Sequence, residues 1–332
     1  MIYMNPFAAA PAISQQLTDA QRIVILTHVS PDGDAIGSML AVYHALQALG
    51  KDVHALASSD LPNYARWLPG VDNVTVYEIG MHFPEADLVV MVDTATLSRI
   101  GPIYDEAAQT LVQLPIVIVD HHVTNNGHGT VDFIDATAAS TCEMLFQLFS
   151  AMELPITPDI ATCLLLGLTT DTQSFQTSST RAESLHVAAE LLKHGADQER
   201  VTKEVYYTLP ASSAALIGHA LYGLHVDGPI AWTTVTQEMM RDTQAEDEAG
   251  DEVVRMMQRI AGVKALVLFK ERFDGTTKIS LRSQPAFNVA ALAQEWGGGG
   301  HSQAAGATLH MPPSEALEKI LPQLRALVGV TE

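Results

Sequence analysis

Four clusters of acidic and histidine residues stand where apolar runs end. His28-x-x-x-Asp32-x-Asp34 follows the run 23–27 (IVILT), and Asp93 follows Leu88–Val92. Asp120-His121-His122 closes the run that begins at Ile116, and Asp171 follows Gly167-Leu168-Thr169-Thr170. A lone carboxylate beside apolar strands is costly to bury unless it is paired or coordinates a cation. One such aspartate is ordinarily a helix cap. Four clusters at one edge of a sheet point instead to cations. Imidazole with several carboxylates and no cysteine suits Mn²⁺ or Mg²⁺ better than a thiolate zinc site. The donors exceed what one octahedral ion needs beside its waters; two ions about 3.5–4 Å apart, sharing a carboxylate, would use them. Such a pair activates water and clamps a phosphoryl oxygen, so these residues point to metal-assisted phosphoester hydrolysis.

The second half offers a candidate anion site. Trp296 is followed by glycines 297–300 and His301. Glycines let backbone N–H groups wrap an anion, and the histidine can donate to a phosphate. Arg282, in Ser280-Leu281-Arg282-Ser283, could supply a charge-assisted fork.

These residues need a scaffold, and the pattern around them supplies one. Strands are predicted over 23–28, 53–58, 88–93 and 116–120, with helices over 34–49, 141–152, 159–168 and 180–195. Alternation of this kind predicts an α/β fold with an open, mostly parallel sheet and helices on both faces. Ligands then gather at the carboxyl ends of the strands. In the second half, strands are predicted over 221–225, 230–235, 265–270 and 278–282, and helices over 251–261 and 288–295. This half reads as a smaller α/β domain. The expected division is a domain over 1–195, a linker over 196–215 and a second domain over 216–332.

Composition narrows the function class. The 332 residues are 47% hydrophobic and carry 18 Lys and Arg against 38 Asp and Glu, a net charge of −20. That is too acidic for a protein that coats long nucleic acid by neutralising phosphates. The imbalance is uneven, with 5 basic and 21 acidic residues in 1–190 against 13 and 17 in 191–332. Within 253–282 the sign reverses, so an acidic half fit to hold cations precedes a half with a local basic segment. Cys142 and Cys163, flanked by apolar residues, are expected buried and reduced. No apolar run approaches the ~18 residues of a membrane helix, and the start lacks a basic signal-like region. The expectation is a cytoplasmic protein with no membrane partner.

The motifs together resemble a known family. His28-Val29-Ser30-Pro31-Asp32-Gly33-Asp34-Ala35-Ile36-Gly37-Ser38, Val92-Asp93-Thr94, Asp120-His121-His122 and Thr170-Asp171-Thr172 resemble the motifs of the DHH phosphoesterases. Glycines 297–300, His301 and Ala304-Ala305-Gly306 resemble the signature of that family's C-terminal substrate domain. The resemblance runs in order through nearly the whole chain. It implies a Rossmann-like DHH domain, a smaller C-terminal α/β domain and an active site in the cleft between them. One Mn²⁺ would be held by His28, Asp32 and Asp93, and the other by Asp34, Asp93, His121 and Asp171, with Asp93 bridging. Asp120 would orient a ligand, and His122 would lie near the scissile phosphate. Arg282, Ser283, Gly299, Gly300 and His301 would hold a substrate phosphate.

Within the family, the length and the Ser280–Ser283 segment are most similar to the bifunctional oligoribonuclease and phosphoadenosine-phosphate phosphatase subgroup. The implied activity is Mn²⁺-dependent hydrolysis of short RNA to mononucleotides and of 3′-phosphoadenosine 5′-phosphate to AMP. A linear or cyclic dinucleotide phosphodiesterase is the alternative, ahead of an inorganic pyrophosphatase and of a non-catalytic nucleotide-binding module. The implied partners are short RNA and small nucleotides, without long nucleic acid, and a second copy in a homodimer. One departure stands out: Gln173 occupies a position where the family usually has glycine, which leaves substrate shape open.

Overall fold

The β-branched apolar runs of the first half form a seven-stranded sheet in a computed structural model that describes residues 1–329, and of His301 the backbone alone. Its strands are β1 (Ile2–Tyr3), β2 (Arg22–Leu26), β3 (Asp52–Ala57), β4 (Val74–Val76), β5 (Leu88–Val92), β6 (Ile116–Asp120) and β7 (Val131–Ile134). Their order is β1-β7-β6-β5-β2-β3-β4, and every neighbouring pair is parallel. A parallel sheet must bury both faces, and β2 shows how. Ile23 and Ile25 join a core with residues of helices α1 (Pro6–Asp19) and α2 (Gly33–Ala48). Val24 and Leu26 point the other way, into a core with Ile103 and Ala107 of α3 (Pro102–Leu111).

Four more helices complete this unit: α4 (Thr141–Ala151), α5 (Pro158–Asp171), α6 (Ala182–Lys193) and α7 (Gln198–Tyr206). Helix α2 starts where Asp32 caps it, accepting from the Asp34 and Ala35 amides at 3.1 Å each. Helices α2 and α5 approach closely at Gly167. A Cβ there would stand 2.3 Å from Cys142 Sγ and 2.6 Å from Asp34 Oδ1. The missing side chain lets α5 bring its C-terminal end to the start of α2. Cys142 and Cys163 are both free and buried, as expected.

The chain divides into two compact units, Met1–Thr208 and a second from Leu209 onward. The expected linker over 196–215 is structured. Helix α7 belongs to the first unit, with Val201 in its core, and α8 (Ala211–Tyr222) opens the second. The expected strand over 221–225 is corrected as well. Leu216 and Ala220, four apart, are buried on one face of α8, which runs to Tyr222 before Gly223 caps it.

The second unit holds β8 (His225–Asp227), β9 (Ile230–Val235), α9 (Gln237–Thr243), α10 (Ala249–Met257), β10 (Ala265–Glu271) and β11 (Thr277–Ser283). It continues through α11 (Val289–Glu295), β12 (Gly299–His301), β13 (Ala304–Leu309) and α12 (Pro313–Leu327). The strand order is β12-β13-β11-β10-β9-β8, with only β9 and β10 parallel. One face is covered by α11 and α12, the other by α8 and α10. No helix of the described residues is long and apolar enough to cross a membrane.

Candidate metal centre

Strand order explains why distant motifs meet. Central strand β5 pairs with β2 on one side and β6 on the other, all parallel, so their carboxyl ends lie side by side. Those ends deliver His28, Asp93 and the run Asp120-His121-His122. Asp32 and Asp34 follow at the start of α2. The fourth cluster arrives differently from expectation: Asp171 comes from the last turn of α5, not from the sheet edge.

The side chains converge in three overlapping groups, His28/Asp32/Asp93, Asp34/His121/Asp171 and Asp93/His121/His122, each with ligand atoms within 4.8 Å of one another. His28 Nε2 lies 3.4 Å from Asp93 Oδ2 and 3.9 Å from Asp32 Oδ1. His121 Nε2 lies 3.3 Å from Asp171 Oδ2, 3.5 Å from Asp93 Oδ1 and 3.9 Å from Asp34 Oδ2. Asp93 therefore turns one carboxylate oxygen toward each group. Its backbone sits at φ +53°, the left-handed region that aspartate tolerates better than most residues.

The donor set fits divalent cations. Ligands about 2.1 Å from an ion stand roughly 3.0–3.4 Å apart in octahedral or tetrahedral arrangements, close to the spacings above. His28 donates from Nδ1 to the Val29 carbonyl at 3.0 Å, which in the neutral ring leaves a lone pair on Nε2, the atom facing Asp32 and Asp93. Electrostatics agree. Burial, then the charge of Asp93, pushes the Asp34 carboxyl up to about 7. Burial and the neighbouring Asp34, Asp32 and Asp93 push Asp171 well above the usual carboxylate range. Burial acts on Asp93 in the same sense, but the His28 hydrogen bond and the charges of His121 and His28 outweigh it and hold the carboxyl at about 2. Carboxylates this crowded resist sharing negative charge until a cation arrives.

Around the ligands lies a set of orienting groups. Asp120, fully buried, accepts from His122 Nδ1 at 2.7 Å and, on its other oxygen, from Asn125 Nδ2 at 2.7 Å. Asn125 also donates to the Thr94 carbonyl at 3.3 Å, linking the ends of β5 and β6. Burial lowers the His122 pKa, but the Asp120 hydrogen bond and charge more than offset that and raise it to about 9. The N-terminus of α4 addresses Asp34 directly: the Thr141 and Cys142 amides donate to Oδ2 and Oδ1 at 2.7 and 2.9 Å. The sequence reading gives Asn125, Thr141 and Cys142 no part in this site. The pattern Ser140-x-x-Glu143 marks a helix start, which was the signal available. That this start lies against Asp34 follows only from the packing.

After Asp171 the chain takes an unusual course. Gln173, Ser174 and Phe175 all have positive φ, at +47°, +58° and +65°. Thr172 holds the turn, its carbonyl accepting from the Gln176 and Thr177 amides and its hydroxyl from the Phe175 amide. Gln173 thus occupies the kind of conformation for which glycine is the ordinary choice.

In the second unit, Arg282 is partly buried on β11, and Nη1 donates to the Leu281 carbonyl at 2.9 Å. Among the described residues it makes no ion pair. Burial lowers its pKa; the charge of Asp251 opposes that shift and Arg255 adds to it. Ser283 Oγ donates to the Phe287 carbonyl at 2.8 Å, so its proton is committed to the local turn. The glycine tract enters a strand instead of staying a loop. Gly299 and Gly300 lie in β12, antiparallel to β13. A Cβ on Gly298 would stand 2.1 Å from the Gly306 carbonyl oxygen, and one on Gly300 2.4 Å from that of Ala304. These glycines admit a neighbouring backbone, while Gly299 faces open space. The His301 side chain lies outside the described residues.

Comparison with known proteins agrees with this geometry. The chain is 34% identical to the bifunctional oligoribonuclease and PAP phosphatase NrnA of Thermus thermophilus, over 91% of this chain and 89% of that protein. It is 27% identical to the cyclic-di-AMP phosphodiesterase PdeA of Listeria monocytogenes, over 87% of this chain but only 45% of that protein. A crystal structure of an exopolyphosphatase-related protein from Bacteroides fragilis superposes with a TM-score of 0.90, at 28% identity and 97% coverage of both chains. Residues 22–168 match the DHH family, N-terminal domain, and residues 231–329 match the DHHA1 domain. With its motif residues gathered at the carboxyl ends of β2, β5 and β6, the chain belongs to the DHH family and carries a DHHA1 domain behind its DHH domain.

Proposed function

We propose that this enzyme, a hydrolase of the DHH family, removes mononucleotides from very short RNA and dephosphorylates 3′-phosphoadenosine 5′-phosphate, using two Mn²⁺ ions. The observation that carries the two-ion reading is the split of Asp93, with Oδ2 toward His28 and Oδ1 toward His121. His28, Asp32 and Asp93 would hold one ion, and Asp34, Asp93, His121 and Asp171 the other. When bound, the ions supply charge to a phosphoryl oxygen and lower the pKa of an attacking water.

The chain's own groups carry the rest. Asp120 fixes His122 through Nδ1 and favours its charged form, which suits it to donate to a phosphate or to a leaving oxygen. Asn125 occupies the other oxygen of Asp120 and so sets that carboxylate's orientation. We read Arg282, partly buried and without an ion pair among the described residues, as the cation that takes a substrate phosphate. Ser283, Gly299, Gly300 and His301 are assigned to the same phosphate. The acidic surface suits substrates that need a few local contacts. The higher identity to the oligoribonuclease and PAP phosphatase, 34% against 27%, supports this substrate class over cyclic-di-AMP. We assign the protein to the cytoplasm and to a homodimer.

The test is turnover of a labelled RNA trimer, a linear dinucleotide, 3′-phosphoadenosine 5′-phosphate and pyrophosphate in parallel, with Mn²⁺, with chelator and with Asp93→Asn. Turnover of the trimer and of phosphoadenosine phosphate, lost in both controls, is expected. Turnover of the dinucleotide alone moves the enzyme to the dinucleotide branch, and tight nucleotide binding without turnover of any substrate removes the catalytic reading.

A further inference from the structure

One residue touches two ligands of the same proposed ion without being a ligand itself. Thr141, wholly buried at the first position of α4, donates from Oγ1 to Asp93 Oδ1 at 3.2 Å. Its amide donates to Asp34 Oδ2 at 2.7 Å. Those are the two oxygens that face His121, at 3.5 and 3.9 Å. The oxygen of Asp93 that faces His28 is the other one, Oδ2. Thr141 therefore bonds to the oxygens of one ligand group and leaves the other group untouched.

The helix end that carries it is held firmly. Ser140 caps α4 by accepting from the Glu143 amide at 3.0 Å. Glu143, fully buried, accepts from Arg181 Nη2 at 2.7 Å and from Ser184 Oγ at 2.6 Å. Arg181 also reaches Thr137 Oγ1 at 2.9 Å, so the segment before α4 and the first turn of α4 are both tied to the start of α6. The Cys142 amide fixes the second oxygen of Asp34 at 2.9 Å. A donor anchored this way sets the rotation of a carboxylate, which decides where its second lone pair points.

We propose that Thr141 is a positioning residue that tunes one ion of the pair selectively, the one held by Asp34, Asp93, His121 and Asp171. This rests on the two-ion reading above. The Thr141 hydroxyl orients Asp93 Oδ1 toward that ion, while the His28/Asp32 ion takes Asp93 Oδ2, the oxygen Thr141 does not touch, and feels the change less. Thr141→Val keeps the shape and the amide and deletes the hydroxyl; Thr141→Ser keeps the hydroxyl.

The experiment is titration of the chelator-stripped full-length protein with Mn²⁺ by calorimetry and by electron paramagnetic resonance, which reports spin-coupled pairs. Thermal melts of each stripped variant check folding. Wild type is expected to bind two ions. Thr141→Val should weaken one event by about 10-fold or more, the scale for losing an outer partner of a metal ligand, and leave the other within about 3-fold. Asp171→Asn should remove that same event, and Thr141→Ser should restore affinity to within about 3-fold of wild type. Two wild-type events with Thr141→Val unchanged, or with both weakened alike, overturn the role of Thr141 and leave the metal centre standing. A wild-type protein that binds one ion or none overturns the two-ion reading, and this inference with it.

Discussion

Gly167→Ala tests whether the close approach of α2 and α5 builds the site. The added Cβ would stand 2.3 Å from Cys142 Sγ, 2.6 Å from Asp34 Oδ1 and 2.9 Å from Asp34 Cα. All three are far inside van der Waals contact, both side chains are fully buried, and the Thr141 and Cys142 amides hold the Asp34 carboxylate, so the helices must part. Overpacking of this size costs about 1–3 kcal/mol. For a unit of this length, that lowers Tm by about 2–4 °C per kcal/mol. Because Asp34 is one of the atoms displaced, Mn²⁺ affinity should fall by at least about 10-fold as well. The two readouts separate in the double variant. Cys142→Ala removes the sulfur from the first clash and leaves the second. Cys142→Ala/Gly167→Ala should therefore melt higher than the two single effects predict by addition, by about 1 kcal/mol of coupling, while metal affinity stays low. Differential scanning calorimetry and Mn²⁺ titration on the four proteins give the cycle. A Gly167→Ala protein that melts within 1 °C of wild type and binds Mn²⁺ normally would refute the packing argument, and strict additivity would refute the account of Cys142.

Three further outcomes follow from the same structure. Arg181→Ala leaves the Glu143 carboxylate buried without its cation and should cost about 3 kcal/mol or more, read as a lower denaturant midpoint, whereas Glu143→Gln in that background should recover part of the loss. In chelator-stripped protein, the Asp34 carboxyl at about 7 and the raised Asp171 lie above their unfolded values. The contribution of Asp34 is fully present below about pH 4 and is lost as pH rises through 7, and that of Asp171 is lost as pH rises through its own raised value. His122, raised to about 9, contributes fully below about pH 6.5 and loses that contribution as pH rises through 9. The stripped protein should therefore melt higher at pH 6 than at pH 8.5, and a flat or opposite trend by calorimetry contradicts the crowded-carboxylate picture. Arg282→Ala should raise KM by about 10-fold, the value of a charge-assisted hydrogen bond, with Mn²⁺ binding unchanged; equal loss of metal binding would remove Arg282 from substrate recognition.

The candidate ligands were legible in the sequence for a physical reason. In a parallel sheet the carboxyl ends of central strands converge, so a polar residue directly after an apolar β-branched run is placed by its position alone. His28, Asp93 and Asp120-His121-His122 follow that rule, and they come together as read. Asp171 was legible as a motif beyond the predicted helix 159–168 but not as its last turn, because the apolar run ends at Leu168. Thr141, Cys142 and Asn125 were not legible. Two of them reach Asp34 through backbone N–H groups that every non-proline residue has, and the third acts through a loop whose course depends on β6 and β7 being paired. The glycine tract was legible as a place of close backbone approach but not as a strand, because the same residue type admits an anion or a neighbouring strand.

Asp93 has a consequence for how freely the chain can change. Its backbone is left-handed and its carboxylate serves two groups at once, so two unrelated demands fall on one position. Asparagine satisfies the backbone but surrenders the charge. Glutamate keeps the charge, but its longer arm carries the oxygens elsewhere and sits less readily in that conformation. Glycine relaxes the turn and loses both oxygens. No single replacement meets both demands, and gradual drift through intermediates is closed here in a way it is not at His28 or Asp171, where ordinary backbone leaves only the ligand chemistry to preserve.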